Sequence, residues 1–200
     1  MEGIEWPPQL LLVVQCQMEQ LEHPEVPRTP PLATMTSQRS VLTFLQDARQ
    51  RVRQRCKASD SVIDCCQNLV LDTIEQCCTS SFLLTKERRL INAAAQQREK
   101  RLEGRHGPKR RRADSEGRTS PTTGASTAVP FSYKCAAVLP VEYLLRFFVA
   151  LPSILAHYDK LGGCAMPAAY KKPLWDYVNA ILDMMKDMSF FDPDDYVLLK

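Results

Sequence analysis

Between Ala136 and Ala156 run twenty-one residues of which only Glu142 and Arg146 are charged. A stretch this long and apolar either spans a bilayer or forms the innermost helix of a packed body. Several features oppose the bilayer: two full charges within one span, Pro140 and Pro152, and the lack of aromatic or basic anchors at both ends. The expectation is therefore a core helix over Val141–Tyr158, with Pro140 tolerated at its first turn. Glu142 and Arg146 lie one turn apart. Arg146 is the only cation in this helix before its last residues, so it needs a carboxylate, either Glu142 or one from another element, and both residues are expected to be structural.

The rest of the chain can supply a body around such a helix. At 200 residues, 44% apolar and 24% charged, it is material for one domain, or one domain plus a tail. Apolar positions recur at helical spacing in Pro7–Leu21 (Leu10, Leu11, Val14, Met18, Leu21) and in a helix carrying Val41, Phe44, Leu45, Ala48 and Val52. A third helix, opened by Ser59 or Asp60, carries Val62, Cys66, Leu69, Val70, Thr73 and Cys77. Pro24, Pro27, Pro30 and Pro31 interrupt the first two, and Thr36 or Ser37 is a candidate cap for the second. Lys86–Leu102 continues as a charged helix. After the Gly162-Gly163 break a final helix runs over Ala168–Met188, with Tyr170, Leu174, Tyr177, Val178, Ile181, Leu182, Met185 and Met188 on its apolar face. Phe131–Val138 is the one candidate for a short strand. The fold class expected is all-α, or mainly α.

Charge is local. The formal net charge is +3, but Arg98–Arg112 holds eight basic side chains against Glu99 and Glu103, leaving the remainder mildly acidic. From Gly104 to Ala128 hardly any apolar side chain is larger than Ala or Val, which predicts a disordered, basic, Ser/Thr-rich insertion. It divides the domain into residues 1–103 and 129–200, with 104–128 between. Lys109, Arg110, Arg111 and Arg112 within it read as a nuclear-import signal or a phosphate-backbone contact, which phosphorylation of Ser115, Ser120 or Thr122 would weaken. No aromatic residues are interleaved to stack bases, so nucleic-acid contact would be weak.

The eight cysteines do not assemble into a metal site on paper. Cys65/Cys66 and Cys77/Cys78 lie ~18 Å apart on a straight helix, and neighbouring residues face different ways. They are expected to pack as small hydrophobes, with Cys16, Cys56, Cys135 and Cys164, in a reducing compartment. The start, with Glu2, Glu5 and a short apolar run Leu10–Val14, lacks the form of a secretory signal. His23, His106 and His157 have no partner at ligand or dyad spacing, and no phosphate loop, nucleophile elbow or zincin motif is present. No catalytic residue, metal or cofactor is expected.

The core helix carries a family resemblance. Tyr143-Leu144-Leu145-Arg146-Phe147-Phe148-Val149 resembles the HLLRLFV-type helix of the MRG domain, the mortality-factor-related family of chromatin adaptors. Trp175-Asp176-Tyr177 through Met185 is similar to that family's last long helix, Phe190–Tyr196 to its closing Phe…Ser-Asp-Tyr motif, and Leu83–Arg88 to its LLY…ER motif. Ile4–Pro31 resembles the family's opening. The departures are Tyr143 where histidine is usual, Leu139 and Thr85 where tyrosine is usual, and Met18 near a tryptophan position. No chromodomain pattern precedes the MRG-like region, so methyl-lysine reading is not implied.

The resemblance implies a nuclear, non-enzymatic scaffold in histone acetyltransferase or deacetylase complexes that binds apolar peptide motifs of other subunits in a groove. Carried over by position, the groove residues are Val14, Met18 and Leu21, Leu84 and Thr85, and Ala150 and Ile154. Amphipathic helices and the flexible side chains of Met18, Met184, Met185 and Met188 suit docking independently of the resemblance. From other classes come a nuclear, nucleic-acid-associated helical protein contacting phosphate through its insertion, and a thiol-dependent enzyme with one activated cysteine.

Overall fold

In the computed structural model the described residues are 3–36, 39–78, 82–105, 133–160 and 168–199. They form a mainly α fold of six helices, α1 (Pro8–Leu21), α2 (Val41–Cys56), α3 (Asp60–Cys77), α4 (Thr85–Arg105), α5 (Tyr143–Lys160) and α6 (Ala168–Met185). One small sheet pairs β1 (Arg28–Thr29) antiparallel with β2 (Val197–Leu198), Thr29 lying opposite Val197. No helix among the described residues is long and apolar enough to cross a membrane.

Helix α2 packs on α3 and α6, α3 also touches α6, and α1 lies against α5. Through Phe148 every residue of α5 is buried, with Leu144, Leu145, Phe147 and Phe148 having no exposed surface. This is the central helix that the low charge of the segment dictates. It begins two residues later than its pattern suggests, at Tyr143, after turns that leave Glu142 outside.

The start of α2 explains two departures from the sequence expectations. Its cap is Ser40, whose hydroxyl accepts from the Thr43 N–H at 3.2 Å, rather than Thr36 or Ser37. The first helical N–H groups need acceptors. The Val41 N–H finds the Leu139 carbonyl at 2.8 Å and the Leu42 N–H finds that of Ala136 at 2.9 Å. Upstream, the Ala33 N–H donates to the Val138 carbonyl at 2.9 Å. Tyr133–Val138, the described part of the expected Phe131–Val138 strand, is consequently a run of turns, buried from Cys135 on, whose Ala136 and Val138 carbonyls serve other segments. Helix α4 extends through Arg105, two residues into the expected insertion, while 106–128 lies outside the described residues.

On the surface, Arg49 forks onto Asp64 at 2.6 and 2.8 Å, Arg53 meets Asp60 at 3.1 Å and Arg55 meets Asp183. These half-exposed pairs contribute little each. The buried pair is different. Arg146 reaches across to Glu87 in the first turn of α4, Nη1 and Nη2 donating to its two oxygens at 2.8 Å each, with side chains 5% and 0% exposed. The carboxylate from elsewhere, not Glu142, is thus the partner.

Glu87 is also held locally. Its Oε2 accepts from the Leu84 N–H at 3.0 Å, the reach-back half of a capping box, and its negative charge sits at the favourable end of the helix. Thr29 donates to Oε1 at 2.8 Å, and the Tyr143 hydroxyl lies 3.0 Å from the same atom and beside Thr29. Burial pushes the Glu87 carboxyl up, but Arg146, the Leu84 amide and Thr29 outweigh it and hold it below its ordinary value.

Removing one member of such a pair strands a buried charge. Arg146→Met should lose ~3–5 kcal/mol in urea denaturation, and Arg146→Met with Glu87→Met should regain much of it. Unchanged stability of the single variant would end the structural assignment.

Candidate functional site

Three stretches far apart in the chain meet around an open groove of about 330 Å³. Helix α1 supplies Val14, Met18 and Leu21, the approach to α4 supplies Phe82, Leu83 and Leu84, and α5 supplies Arg146, Val149 and Ala150. The spacing within each helix puts these side chains on one face: 14, 18 and 21 on α1, and 146, 149 and 150 on α5. Val14, Met18, Val149 and Ala150 are half-buried and Leu84 is 45% exposed, so an apolar surface remains open.

The segment before α4 is pinned. The Phe82 carbonyl accepts from Arg146 Nη2 at 2.9 Å, the Leu83 carbonyl accepts from Arg88 Nε at 2.9 Å, and the Leu84 N–H is taken by Glu87. The Phe82 ring stands edge-on to Phe147, with centroids 5.4 Å apart. Leu84 is therefore presented outward from a backbone with little freedom to move.

Of the residues named from sequence, Val14, Met18, Leu21, Leu84 and Ala150 come together here. Thr85 opens α4 as an exposed residue away from the groove lining. Ile154 is 6% exposed and packs in the core, because it continues the inward stripe of Phe147 and Leu151 instead of the outward one of Arg146 and Ala150. Sequence reasoning missed Phe82, Leu83, Val149 and the role of Arg146 as a wall. For Arg146 the signal was available in the helical period counted back four residues from Ala150, and for Val149 in the three-residue step on from Arg146; for Phe82 and Leu83, which precede a helix, no periodicity existed to find them.

Glu142 lies behind α1. It is fully buried and accepts from Gln17 Nε2 at 3.4 Å, from the Phe191 N–H and from the Tyr196 hydroxyl, with no cation among these partners. Burial pushes its carboxyl up to about 7 despite those donors. Gln17 Oε1 has no partner, and a turn of that amide lets it accept from protonated Glu142.

The remaining candidates give no reactive constellation. Cys66, Cys77, Cys78 and Cys135 are buried free thiols, and burial pushes the Cys66 thiol up to about 11, the direction opposite to an activated nucleophile. No group of His, Cys, Asp and Glu able to hold a metal ion occurs among the described residues. His23 accepts from the Val26 N–H at 3.2 Å, a turn contact. A second cavity of about 290 Å³, between α3 and α6, is lined by apolar side chains including Val62, Leu69 and Leu174. Lys109, Arg110, Arg111 and Arg112 lie outside the described residues, as do His106 and Cys164.

Compared with protein-family models, curated proteins and solved structures, the chain has no match.

The burial of Glu142 sets a pH dependence. The unfolded chain releases this proton near the ordinary value of 4.5, whereas the folded chain keeps it to about 7. The group therefore favours folding fully below about pH 4.5, and its contribution, up to ~3 kcal/mol, is lost as pH rises through about 7. Thermal melts of Glu142→Gln should lack this component, so the variant gains stability relative to the parent as pH rises from 5 to 7.5. Parallel pH profiles for the two chains would contradict it.

Proposed function

We propose that the chain is a non-enzymatic adaptor, an MRG-like subunit that recruits partners into histone acetyltransferase or deacetylase assemblies in the nucleus. It would bind apolar peptide motifs of other subunits in the groove between α1 and α5. The observation that carries this reading is convergence. Val14, Met18, Leu21, Leu84 and Ala150, singled out through the resemblance from three separate stretches, line one surface cavity.

The chemistry of that surface supports docking in preference to turnover. Its walls are aliphatic, aromatic and thioether side chains, and its one charged member, Arg146, is already neutralised by Glu87. An apolar depression of this size, at the small end of the range for ligand pockets, suits one or two anchoring side chains of a partner. Met18 can repack around different anchors because its thioether chain is unbranched and flexible.

The test is affinity purification of the tagged full chain from nuclear extract, beside an Ala150→Glu variant. Acetyltransferase or deacetylase subunits should accompany the parent and fall at least tenfold with the variant, while the helical circular-dichroism signal is retained. Absence of such subunits, or equal recovery with both chains, would overturn the reading.

A further inference from the structure

Toward the end of α3, whose cap is Cys78, the residues Asp72, Glu75 and Cys78 follow at steps of three. The segment before α5 is tied along them. The Tyr133 hydroxyl donates to Asp72 Oδ1 at 3.2 Å, and the Ala136 N–H donates to Glu75 Oε1 at 2.8 Å, one turn before Cys78. Cys135, next to Ala136, is thereby laid over the last turn of the helix, where the Cys78 thiol donates a hydrogen bond to its sulfur. Both are free thiols of the core, Cys78 1% and Cys135 7% exposed. The backbone at Cys135 is held too, its carbonyl accepting from the Val138 and Leu139 N–H groups at 3.0 Å each. Cys77 turns away instead, to the Tyr158 hydroxyl.

We propose that Cys78 and Cys135 are a reversible redox staple: hydrogen peroxide oxidises the pair to a disulfide that fixes the segment before α5 to the end of α3, across the interval 106–132. This does not rest on the adaptor reading. A disulfide of ~2.05 Å with a narrow dihedral range forms only between cysteines whose backbones are already correctly spaced. Here two side-chain hydrogen bonds and a doubly engaged carbonyl hold that spacing, so the sulfurs meet in the folded chain.

The step balances with one peroxide. The sulfur of Cys135, the less covered of the two, gives an electron pair to a peroxide oxygen; the O–O bond breaks, water leaves, and a sulfenic acid remains. The Cys78 sulfur then attacks the Cys135 sulfur, the S–O bond breaks, and a second water departs with the thiol protons. The bond to Cys135 and burial push the Cys78 thiol up, which suits it to this second role rather than to the first attack. Two glutathione thiols reverse the reaction, leaving glutathione disulfide. In a reducing compartment the bridge is thus transient, and it forms once per chain without turnover. The ring it closes, from residue 78 to residue 135, holds Phe82–Leu84 and the whole of α4, a long loop of the kind whose closure most restricts the unfolded chain.

The test treats the reduced full chain with hydrogen peroxide under native conditions, blocks remaining thiols with iodoacetamide, and maps the non-reduced digest by mass spectrometry. The expected main intrachain product joins Cys78 to Cys135. It persists in Cys77→Ala, disappears on adding reduced glutathione, and lowers the unfolded-to-folded ratio at fixed urea about tenfold or more against the same chain kept reduced. Cys135→Ala treated in the same way should show no such gain, and if that variant does not fold, the linked peptide of the unsubstituted chain decides. A main product joining any other cysteines, a Cys78–Cys135 link that forms only in urea, or an oxidised chain no more resistant to urea than the reduced one would overturn the proposal.

Discussion

The pairing of Arg146 with Glu87 is the constraint around which this body is arranged. Two full charges have been removed from water, a cost that their mutual attraction offsets only when the geometry is good and the other polar atoms nearby are satisfied. Here the carboxylate takes both guanidinium nitrogens, the Leu84 N–H and the Thr29 hydroxyl, and it stands at the positive end of α4. The network therefore joins four parts of the chain: the proline-rich connector through Thr29, the approach to α4 through Phe82 and Leu84, α4 itself, and α5. Tyr143 closes the ring between Thr29 and Glu87, which gives its hydroxyl partners in a place with almost no exposure. An apolar replacement of the pair would hold the same elements by contact, but it would not dictate the direction from which the Phe82–Leu84 segment arrives.

Stability and the proposed function consequently share parts. The segment whose carbonyls are pinned by Arg146 and Arg88 is the one that offers Leu84 to solvent, and the helix that buries Phe147 and Phe148 on one side shows Val149 and Ala150 on the other. A docking surface built on rigid elements requires less ordering when a partner arrives, and that saving is what allows a small apolar contact to bind usefully.

The helical layout was legible because it is periodic. Leu10, Phe44, Leu45, Val70, Leu174, Ile181 and Leu182 are read from spacing and are buried. What escaped was set by partners distant in sequence. Ser40 caps α2 because Leu139 and Ala136 supply the first acceptors there, and nothing local favours Ser40 over Ser37. Tyr133–Val138 reads as apolar enough for a strand, yet its Ala136 and Val138 carbonyls are committed to α2 and to Ala33. That Arg146 needs a carboxylate follows from composition; that the carboxylate is Glu87 does not, because Glu142 offers the same group nearer by. Within the groove, five of the seven proposed positions face the cavity, and Ile154 misses because the inward and outward stripes of α5 are one residue step apart there.

The two stretches on either side of residues 106–132 are stitched together at many points. Thr29 pairs with Val197, the N–H of Leu42 with the carbonyl of Ala136, Glu87 with Arg146, and Asn179 with the backbone of both Gly3 and Glu5. Gly3 adopts a φ of +89 and lies so close to the Trp175 ring that any side chain there would strike it. A polypeptide tied in this manner does not depend on covalent continuity between α4 and α5. Nicked by a protease in that interval, its two fragments would remain associated as a heterodimer, and the pieces supplied separately would have the complementary surfaces needed to find one another.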